Sequence, residues 1–76
     1  MKNKLIAKVR SIPQLSQLAR QDSRYAELAI VSAKNLGGNV KTVDDAIRWL
    51  YVNAEDSGSE EGVVDEVNFC RDLVKA

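Results

Sequence analysis

The sequence predicts an all-α fold, a small single-domain bundle of four to five short helices spanning residues 1–76. Three observations carry this prediction. Apolar residues recur at three- and four-residue spacings along most of the chain, helix-starting residues stand ahead of those runs, and no segment has the alternation or β-branched enrichment of a strand. A chain of 76 residues makes one domain, and a fold of this size buries only about 60% of the surface its unfolded chain exposes. Its stability is accordingly modest, about 3–5 kcal/mol without a staple or a partner.

The first predicted helix, about Lys2 to Arg10, sets Leu5, Val9 and Ile12 at spacings of four and three with Ile6 beside them, and leaves Lys4 and Lys8 on the opposite face. The second is short and opens at Ser11, whose hydroxyl can accept the N–H three residues on while Gln14 reaches back. Pro13 suits a first turn because no N–H is needed there, and Leu15, Leu18 and Ala19 follow on the inner side. Asp22 or Ser23 caps the third, which runs through RYAELAIVSAKNL to Gly37 and Gly38. Two glycines after a leucine are a stop signal. The wide apolar band of this helix, with Tyr25, Leu28, Ala29, Ser32 and Leu36 on one row and Ala26, Ile30 and Ala33 on another, puts it at the centre of the core.

Thr42 caps the fourth helix, with Asp44 and Asp45 in the first turn where the helix dipole favours acids. Val43, Ile47, Leu50, Tyr51 and Ala54 fall on one face. The stretch EDSGSEEG, Glu55 to Gly62, reads as a polar loop with Ser59 capping the last helix. That helix sets Val63, Val67, Cys70 and Val74 in one stripe with Phe69 and Leu73 beside it. The expected centre of the core is Ile30, Val43, Ile47, Leu50 and Val67.

Composition excludes several function classes. The chain has no His and a single Cys, so it lacks the usual proton-transfer side chain near neutrality, the commonest metal ligand and any thiolate cage for zinc. One thiol cannot form an internal disulfide, which fits a reducing compartment. No apolar run approaches the roughly 20 residues a membrane span needs, and Lys8 and Arg10 interrupt the apolar stretch of the N-terminus, so no signal peptide is read there. The expectation is a cytoplasmic, non-enzymatic protein with no cofactor and no membrane partner.

The formal charge is zero but sharply divided. Residues 1–41 carry eight bases against two acids, a net +6, and residues 42–76 carry three bases against nine acids, a net −6. Each half therefore offers a charged surface of its own sign. The acids Glu55, Asp56, Glu60, Glu61, Asp65 and Glu66 run without a base among them. They do not make a calcium loop: starting at Asp56, the sixth position is Glu61 where Gly is needed and the twelfth is Val67 where Glu is needed. They read as a solvated helix start or as a patch that meets a basic protein surface. The N-terminal bases Lys2, Lys4, Lys8 and Arg10 are the mirror case, with no aromatic residues interleaved to favour nucleic acid.

The segment Ala29 to Arg48, AIVSAKNLGGNVKTVDDAIR, resembles the helix-turn-helix of DNA-binding proteins. Ala33 supplies the small residue of the first helix, Gly37 the turn glycine four residues later, Val43 the inward apolar residue six further on, and Ala46 the next inward position. The resemblance implies that the second helix enters the major groove and that Asn39, Lys41 and Arg48 contact nucleic acid. Asp44 and Asp45 depart from the pattern, since acids at groove-facing positions repel a polyanion, and Ser32 and Gly38 stand where apolar residues are usual.

Trp49 is the other residue of interest. At the helical repeat it lies roughly 160° from the stripe centred on Ile47, on a row with Asp45, Val52 and Asp56. A large aromatic ringed by acids has the composition of an interface hot spot, and packing beneath a neighbouring helix is the bland alternative. The expected protein-binding residues are thus Asp45, Trp49, Val52, Asp56, Glu60 and Glu61. Cys70, within an apolar stripe and without a base nearby, reads as a buried, inert thiol. Size and lack of chemistry fit an adaptor or inhibitor of the kind phages and mobile elements encode, with a helix-turn-helix regulator as the alternative.

Overall fold

Helix formation follows the capping residues. In the computed structural model, which describes residues 8–71, the described residues form α1 (Ile12–Gln21), α2 (Ser23–Asn35), α3 (Val43–Ser57) and α4 (Glu60–Arg71), with no strand. Ser11, in an extended conformation, caps α1 by accepting the Gln14 N–H at 3.2 Å. Gln14 returns the contact one residue earlier than expected, its Oε1 accepting the Arg10 N–H at 2.6 Å.

A single extended residue separates α1 from α2. Asp22 donates its N–H to Leu18 O at 2.9 Å, closing α1, and its Oδ1 accepts the Arg24 N–H at 2.9 Å, opening α2. Arg24 then turns back onto the same carboxylate at 2.6 Å. The Arg24 guanidinium holds the Asp22 carboxyl below the usual carboxylate range, first through the side-chain hydrogen bond and then through the Arg24 N–H.

The ends of α2 and α3 use one device. Gly37 takes φ +102°, the Gly38 N–H reaches Ala33 O at 2.8 Å and the Gly37 N–H reaches Lys34 O at 3.0 Å. At the end of α3, Gly58 takes φ +72°, the Ser59 N–H reaches Ala54 O at 3.2 Å and the Gly58 N–H reaches Glu55 O at 3.1 Å. These paired bonds satisfy the last carbonyls of each helix, and the residue between them must be left-handed, which glycine alone adopts without strain.

α2 packs against α1, α3 and α4, as its wide apolar band requires. Leu15, Leu28, Leu50, Val67 and Cys70 are wholly enclosed in the core, and Val40, from the segment between α2 and α3, joins them. Two expected core residues, Ile30 and Val43, are only partly buried and pack on the margin.

Three other expectations are corrected. The polar loop predicted over Glu55 to Gly62 shrinks to Gly58 and Ser59, because α3 continues through the acids to Ser57 and α4 begins at Glu60. Phe69, placed beside the core stripe, is 62% exposed, and Val64 is buried on the opposite flank of that stripe. Of the predicted first helix, Lys2 to Ala7 lie outside the described residues, and residues 8–10 are not helical. There the Asn68 amide clamps Val9, its Oδ1 accepting the Val9 N–H at 2.9 Å and its Nδ2 donating to Val9 O at 2.8 Å. This reproduces with one side chain the paired bonds of a strand edge, so the backbone of the lead-in is satisfied without a helix. Val74 and Leu73 also lie outside the described residues.

Candidate functional site

The outer face of α3 holds most of the residues expected to bind a partner. Its buried arc is made by Ala46, Ile47, Leu50 and Ala54, with Ala46 and Leu50 completely enclosed, so the arc is centred on Leu50. Counting Tyr51 as core had rotated the expected centre toward Ile47. Once the centre is moved, Trp49 and Tyr51 become the two shoulders of the arc, each about 100° from Leu50. Tyr51 is 40% exposed, and Trp49 is half-buried against the margin of the core.

Trp49 also lies on the backbone of Gly38. A Cβ added to Gly38 would stand 2.7 Å from Trp49 Cε2 and 2.8 Å from Cδ2, so close that something must shift, and in a tight 3.0 Å contact with Ala33 O. Gly38 is therefore fixed by close approach, whereas Gly37 beside it is fixed by its left-handed φ, with open space where a side chain would go.

Beyond Trp49, Asp45, Val52 and Asp56 are exposed along the same row, and Val52 is half open to solvent. Spacings of four, three and four place these residues on one line along the helix. Glu61 is exposed at the start of α4. Glu60 has an internal task that the sequence did not disclose: its Oε2 accepts the Ile12 N–H at 3.1 Å, so a carboxylate from α4 satisfies the first N–H of α1. Glu60 and Asn68 together run the lead-in and α4 antiparallel.

At the other shoulder Tyr51 borders a shallow, open groove of about 350 Å³. Ile12 and Ala54 line it with Tyr51, the α3–α4 turn closes one end, and Glu55 and Glu60 supply its charge. Among the described residues no Lys or Arg lines it. Sequence reasoning missed this groove because it assigned Tyr51 to the core.

The helix-turn-helix residues come together as follows. Ala33 and Ala46 are completely buried, Gly37 is left-handed and Val43 is partly buried. Asn39, Lys41 and Arg48 are exposed, as are Asp44 and Asp45. The connection from Leu36 to Thr42 has seven residues, longer than the three- or four-residue turn of DNA-binding examples, and the buried Val40 lies within it.

A polar cluster that runs from buried Ser32 and Cys70 to exposed Asn35 joins α2 to α4. Asn35 Nδ2 donates to Glu66 Oε2, and the Cys70 thiol points to the same oxygen at 3.7 Å. Ser32 is completely buried beside them, and its Oγ meets no partner at hydrogen-bond geometry. Burial pushes the Cys70 thiol up, the neighbouring Ser32 hydroxyl opposes the shift, and the Glu66 carboxylate adds to it. A thiol so placed stays protonated and poorly nucleophilic at neutral pH. Among the described residues no group of three or more His, Cys, Asp or Glu side chains is placed to hold a metal ion, and no helix is long and apolar enough to cross a membrane.

No protein-family model, curated protein or solved structure matches this chain.

Proposed function

We propose that this chain is a non-catalytic helical protein that docks on a protein partner through the outer face of α3, in the manner of an adaptor or inhibitor. One observation carries the reading: Asp45, Trp49, Val52 and Asp56 form a continuous row, with an apolar middle half open to solvent and an exposed acid at each end. An apolar centre that can be desolvated, bounded by charges that set orientation, is the arrangement of a binding hot spot. Glu61 extends the acidic rim, and Glu60 contributes field while its carboxylate holds Ile12.

The test uses affinity capture from the native host, read by mass spectrometry, with the full chain and two surface variants. Val52→Asp and the pair Asp45→Lys with Asp56→Lys alter exposed positions, so circular dichroism should stay unchanged while a protein captured by the parent is lost. Identical capture by all three chains overturns the reading. Trp49→Ala is a poor first probe, because the indole also packs on Gly38.

A second reading, a helix-turn-helix regulator of DNA, is favoured by the buried Ala33 and Ala46 on either side of the left-handed Gly37. It expects binding to mixed genomic fragments at low salt that weakens steeply as salt rises. Replacing Lys41 and Arg48 with Ala should then lower the salt slope by roughly two, one per lost phosphate contact. Absence of any shift at low salt removes this reading.

A further inference from the structure

We infer that the groove beside Tyr51 receives a cationic, apolar segment of the partner protein, an inference that rests on the docking reading above. The groove is open, about 350 Å³ in volume, with Ile12 and Ala54 along it and the Tyr51 ring 40% exposed at its edge. Ile12 and Ala54 are themselves buried, so an apolar side chain entering the groove removes hydrocarbon surface from water mainly at the exposed Tyr51 ring.

Charge fixes the rest of the occupant. Among the described residues the groove is lined by Glu55 and Glu60 and by no base, and the flanking chain from Glu55 to Asp65 adds Asp56, Glu61 and Asp65, again with no base. An acidic segment would be repelled along this whole edge, and a neutral one would leave the field unused. Lys or Arg next to the apolar anchor answers both features. The cation faces Glu55, and its stem or guanidinium plane lies on the Tyr51 ring, where the negative face of the aromatic attracts it. Glu60 remains engaged by the Ile12 N–H, so Glu55 is the acid free to turn toward the cation in this geometry. Tyr51 and Val52 are consecutive residues that point about 100° apart around α3, so a partner that engages both the outer row and the groove wraps around the helix.

The probe is a ten-residue synthetic peptide of alternating Leu and Arg, compared with one of alternating Leu and Glu, titrated into the isotopically labelled full chain. The cationic peptide should shift the backbone amides of Ala54, Gly58 and Ser59, and should weaken at least fivefold in Tyr51→Ser and in Glu55→Gln while Val52→Ser binds as the parent does. Both altered side chains are exposed, and the dispersion of the remaining amides reports whether each variant is folded. Equal response to the acidic peptide, no shift at those three amides, or unchanged affinity in folded Tyr51→Ser overturns the groove. The docking reading fails separately, when Val52→Asp retains the captured partner whatever the peptide does.

Discussion

Where α2 turns into α3, Ala33, Gly37, Gly38 and Trp49 make the contact, and every backbone group of the turn named above is paired. Where α2 meets α4, Ser32, Asn35, Glu66 and Cys70 make it, and one buried hydroxyl has no partner. The first junction is specified by shape, the second by polar groups that are only partly satisfied. Shape-specified contacts fail when atoms are added, and under-satisfied polar contacts improve when atoms are removed. The largest expected effect follows at the turn. Gly38→Ala puts a Cβ within 2.7 Å of the indole and should cost about 1–3 kcal/mol, a large share of a stability near 3–5 kcal/mol. Thermal melting should fall and Trp49 emission should move to the red. An unshifted emission maximum with unchanged melting would mean the ring does not rest on this glycine.

The lead-in to α1 sharpens the contrast from the α4 side, because there the polar contacts are complete. Asn68 satisfies both backbone groups of Val9. Asn68→Ala removes both partners at once and should cost about 1–3 kcal/mol, with Asn68→Asp, which keeps the acceptor only, falling between. Hydrogen exchange at the Val9 amide checks it directly, since protection there should vanish in the Ala variant and persist in the Asp variant.

Much of the scaffold was written in local sequence signals. Ser11, Asp22 and Thr42 each cap the helix they stand before, and Gly37 ends α2, because capping depends on a few neighbouring residues and little else. Periodicity was less decisive. It gave Leu50 and Val67 correctly as core, yet it could not choose between Tyr51 and Ala46 as the flank of α3, or between Phe69 and Val64 as the flank of α4. The members of each pair flank an agreed stripe on opposite sides, and neighbouring helices decide which side is covered. The bonds of Glu60 to Ile12 and Asn68 to Val9 join residues 48 and 59 positions apart, a separation no local pattern records. The alignment of Asp45, Trp49, Val52 and Asp56 along α3 was legible because it depends on spacing within one helix. The groove at Tyr51 was not, because three elements build it.

Removing atoms at the α2–α4 junction should have the opposite sign. Ser32→Ala deletes a buried hydroxyl that has no hydrogen bond, and relief of that desolvation should raise stability by about 1 kcal/mol. A urea midpoint that rises with unchanged slope is the expected result. A fall would show that Ser32 has a partner in solution.

The smallest effect comes from the thiol in the same junction. Burial and the Glu66 carboxylate raise the Cys70 pKa above its ordinary value of 9.0. The folded chain therefore keeps this proton after the unfolded chain has released it, so folding binds more protons and stability falls as pH rises. The contribution is fully present below pH 9.0 and is lost as pH climbs from there through the folded value. Other groups titrate in the same range, so the informative quantity is the difference between parent and Cys70→Ala, each melted from neutral to alkaline pH. The two stability curves should converge as pH rises, the parent losing more. Parallel curves would place the thiol in contact with water.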